Sequence, residues 1–328
     1  AGNSHHLFDT VRGVGKRLRS DSNAAEDDVN SHTAFNTDGF TLGAVGTGIS
    51  VSGNAYVAWN WDMGGSNANN TTGSINSVVR ANTTYGQSIV SYTGTGANAT
   101  VGHGLSAAPN WILIKRRASG TQNWFVYHSG LDVDGDSAPQ TDAIKLNDNA
   151  GAFDDDGAYN DTATTSSVFN LGSSGGVNQD GGTYIAYCWH NVTGYSSFGS
   201  YTGNGNATGP TITTGFRPAF VMIKVADRTD GGNGGWFMYD NTRSPNTGDT
   251  TAIQNVLAAN TDAVELVGNA NVLVDFLSNG FQLKASYDEV NVNNGKYIYM
   301  AFADNREFGF NLDQSGNNND WASNNLTE

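Results

Sequence analysis

The sequence predicts an all-β protein made of tandem antiparallel β-sandwich modules of the jelly-roll type, with short helical turns at most. The chain has 328 residues with 42 glycines, and its charged residues amount to only 14%. Residues 92–115 and 201–224 share one pattern without a gap, 109 residues apart in the numbering (92 to 201). Short aromatic and β-branched runs alternate with Gly, Asn and Ser, which is typical of strands joined by turns.

Each copy of the repeated segment opens with a glycine-rich turn and ends in an apolar run. The first copy reads YTGTGANATVGHGLSAAPNWILIK, and the second reads YTGNGNATGPTITTGFRPAFVMIK. The apolar runs at 111–114 and 220–223 are short and rich in aromatic and β-branched residues, so they suit a buried strand better than a helix. We therefore predict a core strand at the end of each copy.

The closing run of each repeat carries the clearest strand pattern. Residues 184–191 read YIAYCWHN and residues 297–304 read YIYMAFAD, and a related run, YVAWNWD, occupies residues 56–62. Large side chains fall on alternate positions in these runs. This period of two predicts strands that pack one face onto a sheet.

Turn signals lie upstream of the closing runs. The tripeptides DGF at 38–40 and NGF at 279–281 combine a turn with the start of a strand, and FNL at 169–171 occupies the same place in the second repeat. Asp-Gly and Asn-Gly adopt positive φ at little cost, which favours tight hairpins. The best helix candidate is the segment 251–260, as one or two turns.

The order of these signals predicts how the chain is divided. The opening block begins at residues 92 and 201 but is missing ahead of the first closing run, so the first unit is predicted to lack its opening strands. The predicted parts are a partial sandwich unit at 1–63, a polar linker or arm at 64–87, sandwich modules at 88–191 and 192–304, and a polar C-terminal tail at 305–328.

Charge and cysteine content exclude several classes of protein. The net charge is −15 and the pI is about 4.5, which disfavours nucleic acid as a partner. No apolar run is long enough to predict membrane insertion. The one basic cluster is interpreted as solvating a turn; it comprises Arg12, Lys16, Arg17 and Arg19. Cys188 is the only cysteine, so it is interpreted as a small core residue and no intrachain disulfide can form.

A set of strand and turn motifs covers most of the chain. They are LFDTVRG at 7–13, FNTDGFTLG at 35–43, YVAWNWD at 56–62, YTGTG at 92–96, PNWILIK at 109–115, WFVYH at 124–128 and LDQSGNNNDW at 312–321. This ordered set resembles the repeated β-sandwich modules of structural proteins of tailed phages, particularly phages of marine bacteria.

The resemblance implies a virion appendage, which would be a tail fibre, a capsid fibre or a decoration protein. Such a protein would be made in the host cytoplasm and carried on the virion surface as a homo-oligomer. Its partners would be other virion proteins and copies of itself, with a host-surface glycan as a candidate ligand. The resemblance carries over no catalytic residue, so the protein is predicted not to be an enzyme.

One acidic loop is a candidate calcium site. Asp132, Asp134 and Asp136 place carboxylates at alternate positions around a glycine, and closely spaced oxygen ligands on a turn suit Ca²⁺. The alternative is a solvated acidic loop. No other cofactor is predicted, because the histidines show no ligand spacing that indicates zinc.

Tyrosines in polar, loop-like stretches are candidate glycan contacts, since an aromatic ring stacks on a sugar while nearby amides bind hydroxyls. These candidates are Tyr159, Tyr195 and Tyr287. The tryptophans in alternating runs are interpreted as core instead; they are Trp59, Trp61 and Trp189. The functional alternatives are therefore a lectin-like receptor adhesin and, third, a polysaccharide depolymerase, although no carboxylate pair selects a catalytic site.

Overall fold

The structure is a computed structural model, and it describes residues 2–43, 48–118, 120–132, 135–227, 234–243 and 253–304. Strands make up 40% of the described residues and helices 5%, in several antiparallel sheets, so the predicted all-β sandwich fold is confirmed. The chain divides into two compact units. Unit 1 comprises Ala1–Asn191 with Ala258–Val264, and unit 2 comprises Val192–Leu257 with Glu265–Glu328. The predicted tail at 305–328 lies outside the described residues.

Unit 1 is built on an antiparallel sheet of eight strands. Its elements are β1 (His6–Leu7), β2 (Lys16–Arg19), β3 (Asp27–Asp28), β4 (His32–Asn36), β5 (Gly39–Leu42), β6 (Ala68–Asn70), β7 (Ser77–Asn82), β8 (Gln87–Thr93), β9 (Ala99–Gly102), β10 (Trp111–Arg116), β11 (Phe125–His128), β12 (Asp142–Lys145), β13 (Phe153–Asp154), α1 (Asp156–Tyr159), β14 (Val168–Leu171), α2 (Gly175–Asn178) and β15 (Thr183–Trp189). The large sheet has the order β13-β12-β11-β10-β15-β8-β7-β6, and the small sheets have the orders β1-β2-β3, β4-β5 and β14-β9.

The core of unit 1 lies between the large sheet and the β14–β9 pair. Tyr184, Ala186 and Cys188 of β15 join one buried cluster with Val101 of β9 and Phe169 of β14. Alternate side chains of a strand share a face, so these three positions of β15 look toward the small sheet. The strand and the core position of Cys188, both predicted from alternation, are confirmed.

The opposite face of β15 is also buried, beneath residues near the N-terminus. Tyr187 and Trp189 are only 6% and 7% exposed. The ring of Trp124 stacks on Tyr187, and its indole N–H donates to the carbonyl oxygen of Arg19 at 2.8 Å. A sheet covered on both faces explains why β10 and β15 are apolar at almost every position.

Within the described residues, unit 2 repeats this sandwich with fewer strands. Its elements are β16 (Ser196–Thr202), β17 (Thr211–Thr213), β18 (Pro218–Asp227), β19 (Trp236–Asp240), β20 (Leu257–Ala258), a short 3₁₀ turn (Ala270–Val272), β21 (Val274–Leu277), β22 (Gly280–Leu283), α3 (Asp288–Asn291) and β23 (Lys296–Ala303). One sheet has the order β16-β23-β18-β19-β20 and the other β17-β22-β21.

The two modules share one strand arrangement. In each, the closing strand (β15 or β23) lies between the opening strand (β8 or β16) and the apolar strand (β10 or β18). In each, a short strand (β9 or β17) pairs with the strand that follows the turn signal (β14 or β22). The repeat in sequence is therefore a repeat in topology. The hairpins predicted from DGF and NGF are also present, as β4–β5 and β21–β22.

Residues 64–87, predicted as a linker or arm, instead contribute two strands. β6 pairs with β7, and β7 pairs with β8 along its full length, so this segment extends the large sheet. Val79 is buried while its neighbours are partly exposed. The polar outward residues of these short strands gave the stretch a linker-like composition.

The run at 56–62 was predicted as a strand and does not form one. Its burial nevertheless alternates, with Val57, Trp59 and Trp61 half-buried and the residues between them exposed. β15 and β23 are each hydrogen-bonded to strands on both sides, and it is such pairing that stabilises a strand. Trp189 is a core residue as predicted, whereas Trp59 and Trp61 are only partly buried.

The helix predicted at 251–260 is also wrong for its described part, which starts at residue 253. Ile253 bridges Val274, and Val256 bridges Leu266, before Leu257–Ala258 forms β20. Ile253 and Val256 are fully buried. Their burial against neighbouring strands overrides a weak local helix propensity.

Candidate functional site

The most distinctive polar feature occurs once in each module, and we call it the polar clasp. It consists of a buried asparagine that ends a short helix and holds the glycine-rich turn of the opening block. In unit 1, Asn178 accepts a hydrogen bond from the backbone N–H of Thr95 at 2.8 Å, and its amide group donates to the carbonyl oxygens of Ala97 and Gly172 at 2.7 and 2.8 Å. The side chain of Asn178 is fully buried.

The clasp of unit 2 has the same bonds. Asn291 is fully buried and accepts from the backbone N–H of Asn204 at 2.9 Å. Its amide donates to the carbonyl oxygens of Asn206 and Ala285 at 2.8 and 2.9 Å. The backbone repeats too, since Gly205 donates to the carbonyl oxygen of Asn291 at 3.0 Å, as its counterpart does in unit 1.

A pair of stacked tyrosines completes each clasp. The rings of Tyr92 and Tyr184 lie 5.2 Å apart, and those of Tyr201 and Tyr297 lie 4.9 Å apart. Tyr92 and Tyr201 each donate to a carbonyl oxygen of the short helix in their module at 2.7 Å. Tyr184 and Tyr297 each accept a backbone N–H directly after that helix. Buried hydroxyls with satisfied partners fix the position of the turn. The clasp thus closes one end of the sandwich.

Removing the asparagine tests the clasp. We expect Asn178→Ala and Asn291→Ala each to lower the free energy of unfolding by about 2–4 kcal/mol, because each leaves a backbone N–H and two carbonyls unpaired inside the protein. Asn69→Ala, at an exposed position in β6, should change it by less than about 0.5 kcal/mol. Urea denaturation measures all three, and equal stability of the three variants would contradict the assignment.

A second buried polar cluster joins β15 to the N-terminal residues. Arg12 pairs with Asp9 and also donates to Glu26 at 3.2 Å and to the hydroxyl of Tyr187 at 3.2 Å. The hydroxyl of Tyr187 donates to Asp9 at 2.7 Å, and Arg117 forms a two-bonded pair with Glu26 at 2.9 and 3.0 Å. Burial alone would lower the pKa of Arg12, but Tyr187 and Asp9 raise it overall.

Unit 2 contains the same Asp-x-x-Arg corner. Asp240 accepts the backbone N–H of Arg243 at 2.8 Å and pairs with its guanidinium at 2.5 Å, and Arg243 also contacts Glu265 at 2.5 Å. The corner of Asp9 and Arg12 has the matching backbone bond, also at 2.8 Å. The common spacing in LFDTVR and MYDNTR was a signal that sequence analysis missed.

The basic cluster near the N-terminus does not solvate a turn as predicted. Arg12 is buried, and Arg17 and Arg19 both pair with Asp27 at 2.5 Å across the β2–β3 ladder. Lys16 pairs with Asp28 at 2.6 Å. Carboxylates of β3 therefore neutralise the three basic residues of β2 within their own small sheet.

The lysine that ends each repeated segment is buried. Lys115 and Lys224 are both fully buried. The ammonium of Lys115 donates to the carbonyl oxygens of Gln122 and Asn23 at 2.6 and 3.1 Å, and that of Lys224 donates to Gly234 at 2.6 Å. Burial lowers the pKa of Lys115 to about 8. These lysines bind loop carbonyls against the sheet, which accounts for their repetition.

His103 is buried and held by two backbone groups. Its Nδ1 accepts the N–H of Leu105 at 3.1 Å, so Nε2 carries the proton and donates to the carbonyl oxygen of Thr165 at 3.0 Å. Burial lowers the pKa of His103 from its ordinary 6.5. Burial also lowers the pKa of His32, and burial with Arg17 and Arg19 lowers the pKa of His6 to about 4.

The lowered pKa of His103 predicts a loss of stability in mild acid. The folded state binds fewer protons than the unfolded chain, so the stabilisation is complete above the unfolded pKa of 6.5 and declines as pH falls toward the lowered folded value. We expect wild type to lose up to ~1 kcal/mol more than His103→Gln between about pH 7 and about pH 5.5. Denaturation curves at both pH values measure this, and parallel losses would refute it.

The candidate calcium residues are not brought together with further ligands in the described part of the chain. Asp132 accepts the backbone N–H of Ser137 at 3.0 Å, and Asp136 accepts that of Ala138 at 2.7 Å, whereas Asp134 lies outside the described residues. Among described residues there is no group of three or more His, Cys, Asp or Glu side chains that could hold a metal. Calcium binding stays a prediction, and equal melting with and without chelator would refute it.

The three candidate glycan tyrosines have different environments. Tyr159 is 2% exposed and packs edge-on against Tyr127, because α1 turns it into the core, so the prediction that it contacts a glycan is wrong. Tyr195 is half-buried, with its ring against Phe302. Tyr287 is 43% exposed just before α3. The glycan role stays a prediction for Tyr195 and Tyr287.

The fold and the clasp together define an all-β protein of tandem sandwich modules, each stabilised internally by hydrogen bonds of buried polar side chains. The chain belongs to the family described as a domain of unknown function (DUF7483), whose model matches residues 1–306. No curated protein and no solved structure matches the chain. Within the described residues, no helix is both long and apolar enough to span a membrane.

Proposed function

We propose that this protein is a non-enzymatic structural protein of a phage virion, in which repeated sandwich modules form part of a tail fibre, a capsid fibre or a surface decoration. The observation that carries the proposal is the polar clasp. The polar residues that both modules repeat, Asn178 and Asn291 with their tyrosine pairs, are engaged in hydrogen bonds and ring contacts inside their own module. Polar residues that are repeated because they stabilise the fold favour a structural role for the protein.

The surface chemistry fits assembly with other virion proteins and with copies of the chain. The net charge is −15, yet charged residues are only 14% of the sequence, so much of the surface offers amides and hydroxyls. Such groups form many weak hydrogen bonds with neighbouring subunits or with sugars. A homo-oligomer on the particle surface is the arrangement that we propose.

Immunogold electron microscopy of purified particles tests the location. An antibody raised against residues 192–304 should label an appendage or the shell of particles from the virus that encodes the chain, and mass spectrometry should find the chain in the same particles. Absence from purified particles, with the chain recovered only as soluble protein from the lysate, would overturn the proposal.

A lectin-like adhesin is the second candidate, favoured by the exposed ring of Tyr287. If the protein binds glycans there, Tyr287→Ala should weaken binding on a glycan array by ~10-fold or more, which is ~1.4 kcal/mol. Tyr85→Ala is the matched control, since Tyr85 is similarly exposed at 37%. Equal binding by the two variants would remove Tyr287 from the site. Release of reducing sugar by wild type would instead indicate a depolymerase.

A further inference from the structure

The opening strands of the two modules correspond residue by residue, but they differ at their outer edges. β8 and β16 pair with their closing strands in the same register, with Tyr92 opposite Tyr184 and Tyr201 opposite Tyr297. In unit 1, β7 runs antiparallel to β8 on its other side and pairs with six of its residues. Among the described residues, β16 pairs with no strand other than β23. The edge that β7 covers in unit 1 is therefore a sheet edge in unit 2.

The burial of β16 agrees with an open edge. Val90 of β8 is fully buried, whereas its counterpart Gly199 is half-buried. Ser200 and Thr202 are exposed. Water therefore reaches the second half of β16, and so could another strand.

The hydrogen bonds to β23 decide which backbone groups of β16 face outward. The carbonyl oxygen of Tyr195 accepts the N–H of Ala303 at 2.8 Å, and the N–H of Gly203 donates to the carbonyl oxygen of Gly295 at 2.9 Å. Successive residues of an antiparallel strand direct their N–H and C=O groups to alternate sides, so the odd-numbered residues face β23. Ser200 belongs to the other set, and its backbone groups point away from the sheet.

The charge pattern suits this edge to a second copy of the same chain. The net charge is −15, so two copies repel each other over much of their surface, yet residues 192–216 contain no charged side chain. β3 and β13 also end their sheets and carry carboxylates, at Asp27, Asp28 and Asp154. β16 contains neither the lysine nor the proline that proteins place on edge strands to prevent pairing.

We propose that two copies of the chain pair through β16, antiparallel about a two-fold axis at Ser200. In this register each Ser200 lies opposite the other, Phe198 lies opposite Thr202, and Gly199 lies opposite Tyr201. Large side chains thus face small ones across the contact. The second copy supplies to β16 the antiparallel neighbour that β7 supplies to β8, and the same surface serves both copies, as a two-fold contact requires.

This pairing gives a surface to the homo-oligomer of the proposed function, and it rests on that function for oligomerisation only. A lectin could pair in the same way. Because the test uses the purified chain without particles, its failure would leave a place in the virion standing. Conversely, absence of the chain from particles would leave the pairing standing.

Sedimentation equilibrium of the full chain measures the pairing. We expect wild type to dimerise reversibly and Ser200→Lys to weaken the dimer by ~10-fold or more, because two like charges would then lie opposite each other at the axis. Thr211→Lys is the matched control, since Thr211 is exposed on β17, which ends the other sheet of unit 2. This control should dimerise as wild type does.

Three results would overturn the pairing. The first is a wild-type chain that stays monomeric at ~0.1 mM. The second is a dimer that Ser200→Lys does not weaken, and the third is equal weakening by Ser200→Lys and Thr211→Lys.

Ser200→Cys tests the register and does not depend on the lysine variant. Residues in a hydrogen-bonded antiparallel pair have Cα atoms about 5.5 Å apart, which a disulfide can bridge. Under a mild oxidant, Ser200→Cys should form a covalent dimer at least ~10-fold faster than Thr211→Cys, and Cys188 should not interfere because it is fully buried. Equal rates, or faster dimer formation by Thr211→Cys, would overturn the proposal.

Discussion

The Arg12→Met variant is expected to lose about 3–5 kcal/mol of stability, because removing one partner of a buried ionic cluster leaves the other charges uncompensated. The side chain of Arg12 is fully buried, and it contacts Asp9, Glu26, the hydroxyl of Tyr187 and the carbonyl oxygens of Leu7 and Lys16. Methionine fills much of the volume but satisfies none of these groups. Urea denaturation followed by tryptophan fluorescence measures the loss.

Arg17→Met is the matched control in the same segment. Arg17 pairs with Asp27, whose side chain is 39% exposed, so water screens that pair and its loss should cost at most about 1 kcal/mol. Arg12→Lys keeps the charge but not the forked geometry and should fall between the two. Equal losses for Arg12→Met and Arg17→Met would contradict the structural role of the cluster.

Phe281→Ala should cost about 3–5 kcal/mol, whereas Phe40→Ala should cost less than about 1 kcal/mol, although the two residues occupy the same position in equivalent hairpins. The reason is burial, since Phe281 is fully buried against Tyr299 and Phe40 is 39% exposed. The comparison holds constant the residue type and the phenylalanine on the opposite strand. Thermal and urea denaturation of the two variants give the difference.

A large loss in both variants would show that the β4–β5 hairpin is already covered in solution. Small losses in both would show that Phe281 does not belong to a packed core. Phe40→Ser is a useful companion, because a polar side chain at an exposed position should leave stability unchanged and reduce binding of a hydrophobic dye.

Local pattern was sufficient to predict the strands and hairpins that a module repeats. The alternation of Tyr184, Ala186 and Cys188 indicated a strand with one face on the core, and the DGF and NGF turns indicated hairpins. These signals are local, since a period of two and a glycine at a turn depend on neighbouring residues alone.

The elements that the sequence did not predict depend on contacts between residues far apart in the chain. The segment 64–87 became part of the large sheet because β8 offered an edge to Val78 and Val79, which a window of polar composition does not reveal. The clasp was missed because Asn178 lies more than 80 residues from the Thr95 that it binds. Its only sequence signal was an asparagine kept at a spacing of 113 residues (178 to 291), inside segments that read as loops.

The central claim is that each module has its own clasp of the same design, and amide hydrogen exchange at the clasp turns tests it most directly. The N–H of Thr95 donates to Asn178, and the N–H of Asn204 donates to Asn291. Asn178→Ala should speed exchange of Thr95 by ~10-fold or more and leave Asn204 unchanged, while Asn291→Ala should do the reverse by a similar factor. The claim would be contradicted if neither substitution changed the exchange rates, or if only one of the two substitutions sped exchange at its own turn.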